Sequence, residues 1–176
     1  MTTILIVPGL GGSGPEHWQT RWEELDPRCL RVPQRDWDAP ECSLWVTALE
    51  RAVRDAVGEV VLVAHSLGVV LVAHWARSGS VAKVKGALLV APPDVESPER
   101  APIETRSFAP IPRQALPFAS MVVASRDDPY ACIECAQQLA AAWGSRFVDL
   151  GVAGHINAAS GLGAWQAGRD LLAQLL

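Results

Sequence analysis

Residues Val60-Val61-Leu62-Val63-Ala64 are apolar at every position. A strand without alternation has both faces buried, and that pattern belongs to a parallel sheet lying between two layers of helices. The run stops at His65-Ser66-Leu67-Gly68 and gives way at once to a second apolar segment, Val69 to Ala76. This order predicts strand, sharp turn and helix, with Ser66 at the apex. A serine held there presents its hydroxyl outward at the start of a helix, as a nucleophile must. In the usual string the position two before the serine is glycine; here it is Ala64, which fits if its φ stays negative. A plain serine capping a buried helix satisfies the same residues, so the turn alone does not decide the chemistry.

The rest of the chain repeats the alternation of strand and helix. Further strand-like runs are Thr3 to Val7, Leu30 to Val32, Ala87 to Val90, Met121 to Ala124 and Phe147 to Leu150. Helical periods fall on Pro15 to Leu25, where Trp18 and Trp22 share a face, and on Leu44 to Val57, with Ser43 as its expected N-cap. Two more fall near Tyr130 to Trp143 and Leu162 to Leu175. The pattern predicts an α/β fold in one domain over residues 1–176: a doubly wound, mostly parallel sheet of about six strands flanked by helices. Seven of the 13 prolines fall between Pro92 and Pro117, which forbids a long regular helix there and predicts an irregular cover over one end of the sheet.

Charge narrows the partners. The net charge is −4 and no basic cluster is present, so nucleic acid is not an expected partner. The charge-free stretch Val60 to Ala76 is too short and too polar to span a membrane, and Met1-Thr2-Thr3-Ile4 lacks the positive start of a secretory signal, so the expected location is cytoplasmic. Cys132-Ile133-Glu134-Cys135 spells C-x-x-C, the string of a redox pair or of half a metal site, but Cys29 and Cys42 supply no second pair for a metal, and packing of small apolar side chains is favoured over either role.

Serine chemistry needs a base for the hydroxyl proton and an acid to orient that base. In an open parallel sheet, ligands meet the loops at the carboxyl ends of the strands. Of His17, His65, His74 and His155, only His155 stands in a glycine-flanked loop after the last strand, at the same edge as Ser66. The acid should follow the fifth strand, where Asp127 and Asp128 compete; a cap or a surface charge is the bland role of either. Asp128, just before Pro129, is favoured. The order Ser66, Asp128, His155 is that of α/β-hydrolases. Donors for an oxyanion are expected from the backbone N–H of Leu67, at a helix start, and of Leu10, in the glycine loop Pro8 to Gly14. A phosphate-cradling role for that loop lacks the Gly-Lys-Ser/Thr that should follow it. No cofactor or metal is called for.

With Val7-Pro8-Gly9-Leu10-Gly11-Gly12, Glu16-His17-Trp18, Ala64-His65-Ser66-Leu67-Gly68, Ser125-Arg126-Asp127-Asp128-Pro129-Tyr130 and Gly154-His155-Ile156-Asn157 in hand, the chain resembles the small serine hydrolases related to retinoblastoma-binding protein 9 and YdeN. The resemblance implies a minimal α/β-hydrolase without a separate lid domain. It places the nucleophile on Ser66, the acid on Asp128 and the base on His155. A small acyl substrate is the implied partner. The Leu-x-Cys-x-Glu string tied to retinoblastoma binding is absent, so that partner is not expected. His17, Trp18 and Trp37 are candidate substrate contacts, and Phe108 or Ile111 candidate walls of the acyl or leaving-group side. Ligand binding without turnover, and acyl transfer to an alcohol or amine, are the competing readings.

Overall fold

The sheet is built around the apolar run. In the computed structural model, which describes residues 2–176, that run is the centre of strand β3 (Glu59–His65). Met1, the first residue of the N-terminal segment read above, lies outside the described residues. The other strands are β1 (Thr2–Val7), β2 (Cys29–Arg31), β4 (Val84–Val90), β5 (Ala119–Ala124) and β6 (Arg146–Asp149). They lie in the order β2-β1-β3-β4-β5-β6, and every neighbouring pair is parallel. Alternate residues of β3 serve two cores. Val60, Leu62 and Ala64 face the layer of helices α2 (Cys42–Asp55), α3 (Leu67–Trp75) and α4 (Ile133–Trp143). Val61 and Val63 face Trp18, Trp22, Trp165 and Leu172 on helices α1 (Trp18–Leu25) and α5 (Gln166–Ala173) and the turn before α5. The missing alternation in the sequence is thus a strand with oil on both sides.

The chain lays β2 on one side of β1 and β3 on the other. The carboxyl ends of β1 and β3 therefore flank the point where the winding reverses, and loops leaving them splay apart to open a crevice. The glycine loop leaves β1 there and Ser66 leaves β3.

Several element ends differ from the pattern reading, each for a local reason. Helix α1 starts at Trp18, three residues later than predicted, because His17 caps it: its Nδ1 accepts the Gln19 N–H at 3.1 Å. Ser43 is not the cap of α2; the helix already begins at Cys42, and the Ser43 hydroxyl donates to Glu41 instead. Helix α5 starts at Gln166, since Gly161 and Gly163 take positive φ and hold a turn where helix was expected. Cys132 and Cys135 do not merely pack: they are joined as a disulfide, and Cys132 Sγ accepts the Cys135 N–H at the start of α4. The proline-rich stretch is irregular apart from a 3-10 turn over Ile103–Phe108. Phe108 and Ile111, predicted to wall the site, point away from it into the core beside α2 and α3.

Candidate active site

Ser66 sits between the last residue of β3 and the first of α3, with φ 54° and ψ −126°. A side chain held in such a conformation costs about 1–3 kcal/mol, which the surroundings must supply. The Ser66 N–H donates to Val90 O on β4 at 2.9 Å. Two glycines let the backbones close in. A Cβ on Gly68 would run into the Val7 carbonyl, and one on Gly9 would lie 2.9 Å from the Leu67 nitrogen. Ala64 is an ordinary residue of β3, paired with Val7 and Leu89. The close approach therefore demands glycine at positions 9 and 68 and not at 64.

His155 reaches Ser66 from the loop after β6. Its Nε2 is 2.8 Å from Ser66 Oγ, and its Nδ1 is 2.8 and 3.0 Å from the two carboxylate oxygens of Asp128. Asp128 is buried and accepts a further bond from the Tyr130 N–H at 2.9 Å. A carboxylate only accepts, so Nδ1 carries the proton and Nε2 keeps the lone pair that faces the serine hydroxyl. Asp127 points elsewhere. Its Oδ1 gathers the Ser125 hydroxyl at 2.7 Å and the N–H groups of Ala153 and Gly154 at 2.9 and 2.8 Å. The Ser125 hydroxyl and these backbone bonds hold its carboxyl below the usual aspartate range. One aspartate thus meets the imidazole, and its neighbour ties down the loop that carries it.

Pattern reading did not find three further parts of this frame. His65 is buried to all but 5% of its surface; its Nε2–H donates to the His155 carbonyl at 2.9 Å, and burial, with His155 and His17 nearby, drives its pKa well down. Gln19, without exposed surface, donates to Val63 O at 3.0 Å while its Oε1 accepts the Ser13 hydroxyl at 2.5 Å, so it rivets the glycine loop to the sheet. Asp127 is the third. A glutamine between two tryptophans carries no pattern that announces such a role; only its zero exposure does.

A cavity of about 410 Å³ opens over Ser66. Leu10 and Leu67 line it together with the glycine loop; on one flank stand His17, His65, Asn157 and Ala158, on the other Pro93, Val95, Pro102 and Thr105. Among the described residues no Lys, Arg, Asp or Glu lines it. Leu67 opens α3, where first-turn N–H groups have no carbonyl to meet, and neither its N–H nor that of Leu10 is engaged by a backbone carbonyl among the described residues. His17 is a lining residue but Trp18 and Trp37 are not. Trp18 is 1% exposed and lies beneath the site, its indole N–H donating to Ile156 O at 2.8 Å. Trp37 backs the outer side of the glycine loop: its carbonyl accepts the Gly11 N–H, and its ring lies where a side chain on Gly12 would go. The free thiols of Cys29 and Cys42 are far from nucleophilic, pushed by burial up to about 12 and about 11. No helix of the described residues is long and apolar enough to cross a membrane.

A six-stranded parallel sheet wound this way, with a strained serine after β3, defines the α/β-hydrolase class. Residues 4–174 match the family model described as serine hydrolase, and the chain belongs to that family. A protein from Pectobacterium atrosepticum described as a YdeN-like hydrolase is 34% identical, with 99% of this chain and 90% of that one covered and a TM-score of 0.89. The ydeN gene product of B. subtilis superposes with a TM-score of 0.76 at 16% identity, covering 99% of this chain and 98% of its own. A thermophilic esterase from Thermogutta terrifontis gives 0.69 at 18% identity, covering 99% and 90%. No curated protein matches the sequence.

Proposed function

We propose that this serine hydrolase cleaves a carboxylic ester or related acyl bond of a small molecule through an acyl-enzyme on Ser66. The observation that carries the reading is the unbroken chain from Ser66 Oγ to His155 Nε2 at 2.8 Å and from His155 Nδ1 to Asp128 at 2.8 Å, on the floor of a cavity. His155 takes the hydroxyl proton as Ser66 Oγ attacks the acyl carbon, and Asp128 stabilises the imidazolium that forms. Negative charge grows on the former carbonyl oxygen, and the N–H groups of Leu67 and Leu10 receive it, the first aided by the α3 dipole. The tetrahedral species collapses, the bond to the leaving group breaks, and His155 returns its proton to the departing oxygen. A water molecule, deprotonated by His155, then attacks the acyl carbon. The second tetrahedral species collapses, the bond between the acyl carbon and Ser66 Oγ breaks as His155 hands the proton to that oxygen, and the carboxylic acid leaves.

Turnover of p-nitrophenyl butyrate tests this. Wild type should release p-nitrophenol, and Ser66→Ala and His155→Ala should each lose at least about 10³-fold in kcat. Equal turnover by wild type and Ser66→Ala would overturn the assignment.

A further inference from the structure

The His155 imidazole has two polar anchors, Ser66 Oγ at Nε2 and the Asp128 carboxylate at Nδ1, both at 2.8 Å. Only the second survives the reaction. Once Ser66 is acylated, its Oγ is an ester oxygen with no proton to give, and its bond to the Nε2 lone pair is lost. The bonds from Asp127 and His65 hold the backbone around His155 but not rotation about the side chain's own bonds. What still meets the ring is aromatic. The His65 ring lies 5.0 Å away, tilted by 58°, and the Tyr130 ring lies 4.5 Å away at 61°, edge to face. Two such rings attract one another in that arrangement.

Tyr130 is itself well held. Its N–H donates to Asp128 Oδ1 at 2.9 Å, its carbonyl accepts the Asp94 N–H at 2.9 Å, and the Pro129 carbonyl beside it accepts from Arg100 at 3.3 Å. One residue thus holds the acid with its main chain and meets the base with its ring. It is half-buried and lines the cavity.

Resting on the Ser66 reading above, we infer that Tyr130 is a positioning residue for the second half of the reaction: its ring holds the His155 imidazole in place while Ser66 is acylated. In that half, Nε2 takes a proton from water as the water oxygen bonds to the acyl carbon and the carbonyl electron pair moves to the oxyanion. The bond from the acyl carbon to Ser66 Oγ then breaks, and Nε2 gives the proton to Oγ. The same nitrogen must face the water first and Oγ next, with no serine hydroxyl to align it. In the first half that hydroxyl does the aligning. Loss of the Tyr130 ring should therefore slow deacylation more than acylation, a split that general loosening of the fold does not produce.

Stopped-flow release of p-nitrophenol from p-nitrophenyl butyrate reads both halves. The p-nitrophenolate leaves without a proton from His155, so acylation runs ahead; the burst rate and kcat/KM report acylation, and steady-state kcat reports deacylation. Tyr130→Leu keeps the main-chain bonds and removes the ring. It should lower kcat about tenfold and show a burst of about one p-nitrophenol per enzyme, while its burst rate and kcat/KM fall by less than about threefold, so that KM drops with kcat. Tyr130→Phe keeps the ring without the hydroxyl and should restore kcat to within about threefold of wild type. A kcat that does not fall in Tyr130→Leu, or that falls by the same factor as the burst rate, overturns the inference. So does a loss in Tyr130→Phe as large as that in Tyr130→Leu, which would assign the work to the hydroxyl. Ser66→Ala separates the two levels. If it abolishes burst and turnover while Tyr130→Leu shows no split, only the role of Tyr130 fails; if it turns over like wild type, the nucleophile assignment fails and this inference with it.

Discussion

The two flanks of the cavity are held by different physics. On the histidine flank nearly every polar atom is tied: His155 to Ser66 and Asp128, His65 to the His155 carbonyl, Gln19 to the sheet and the glycine loop, Asp127 to the N–H groups before His155. The proline-rich flank turns its hydrogen bonds away from the site. Thr105 donates to its own turn at Pro102, Glu96 accepts the Ile111 N–H, and the Phe108 carbonyl meets His74 on α3. What it shows to the cavity is Pro93, Val95, Pro102 and the edge of Thr105. The first flank holds its atoms in a network of hydrogen bonds, as the proposed proton transfer requires; the second supplies shape. Changes on the first should therefore strike kcat, and changes on the second should move KM and little else.

The largest expected effect is at Asp128. Asp128→Asn keeps the shape but removes the acceptor that fixes the His155 tautomer, and kcat should fall about 10⁴-fold with an intact fold by circular dichroism. Next comes acid. The folded state holds His17 near 4, against 6.5 for the ordinary imidazole, and holds His65 low as well. The unfolded chain therefore takes up protons first. Stability should be full above about pH 6.5 and fall as the pH drops toward 4, by about 3 kcal/mol for His17 alone. Urea midpoints at pH 7.5 and 5 measure this, and His17→Asn should flatten the slope. A smaller effect is expected at Asp127. Asp127→Ala frees the loop without touching the imidazole, so kcat should drop about tenfold with KM nearly unchanged. A loss as large as that of Asp128→Asn would erase the distinction between the two aspartates. Smallest of all, Thr105→Val on the shape-giving flank should change kcat/KM by less than about threefold.

How much of this was legible beforehand depends on the range over which each feature acts. The parallel sheet follows from β3, since five apolar residues in a row leave no polar face to expose. The convergence of Ser66, Asp128 and His155 was legible because all three sit where parallel strands end, and all strands end on one edge. The work of Asp127 and His65 was hidden, because it depends on which backbone atoms of a distant loop arrive beside them. The tryptophans misled for another reason. An indole with its N–H reads alike in sequence whether it lines a cavity or, as at Trp18, buries itself beneath one and donates to Ile156 O. Phe108 and Ile111 were misread because a proline-rich stretch hides which of its side chains turn inward. The Cys132–Cys135 bond was missed because C-x-x-C spacing is met by packed, metal-bound and bonded pairs alike.

The central claim is that Ser66 is the nucleophile. Its most direct test is labelling with a fluorophosphonate, which phosphonylates only a serine whose hydroxyl is activated and open to solvent, followed by peptide mass mapping. Wild type should carry one adduct, on Ser66; Ser66→Ala should carry none, and His155→Ala should label far more slowly. An unlabelled wild type, or an adduct on any residue other than Ser66, would contradict the account.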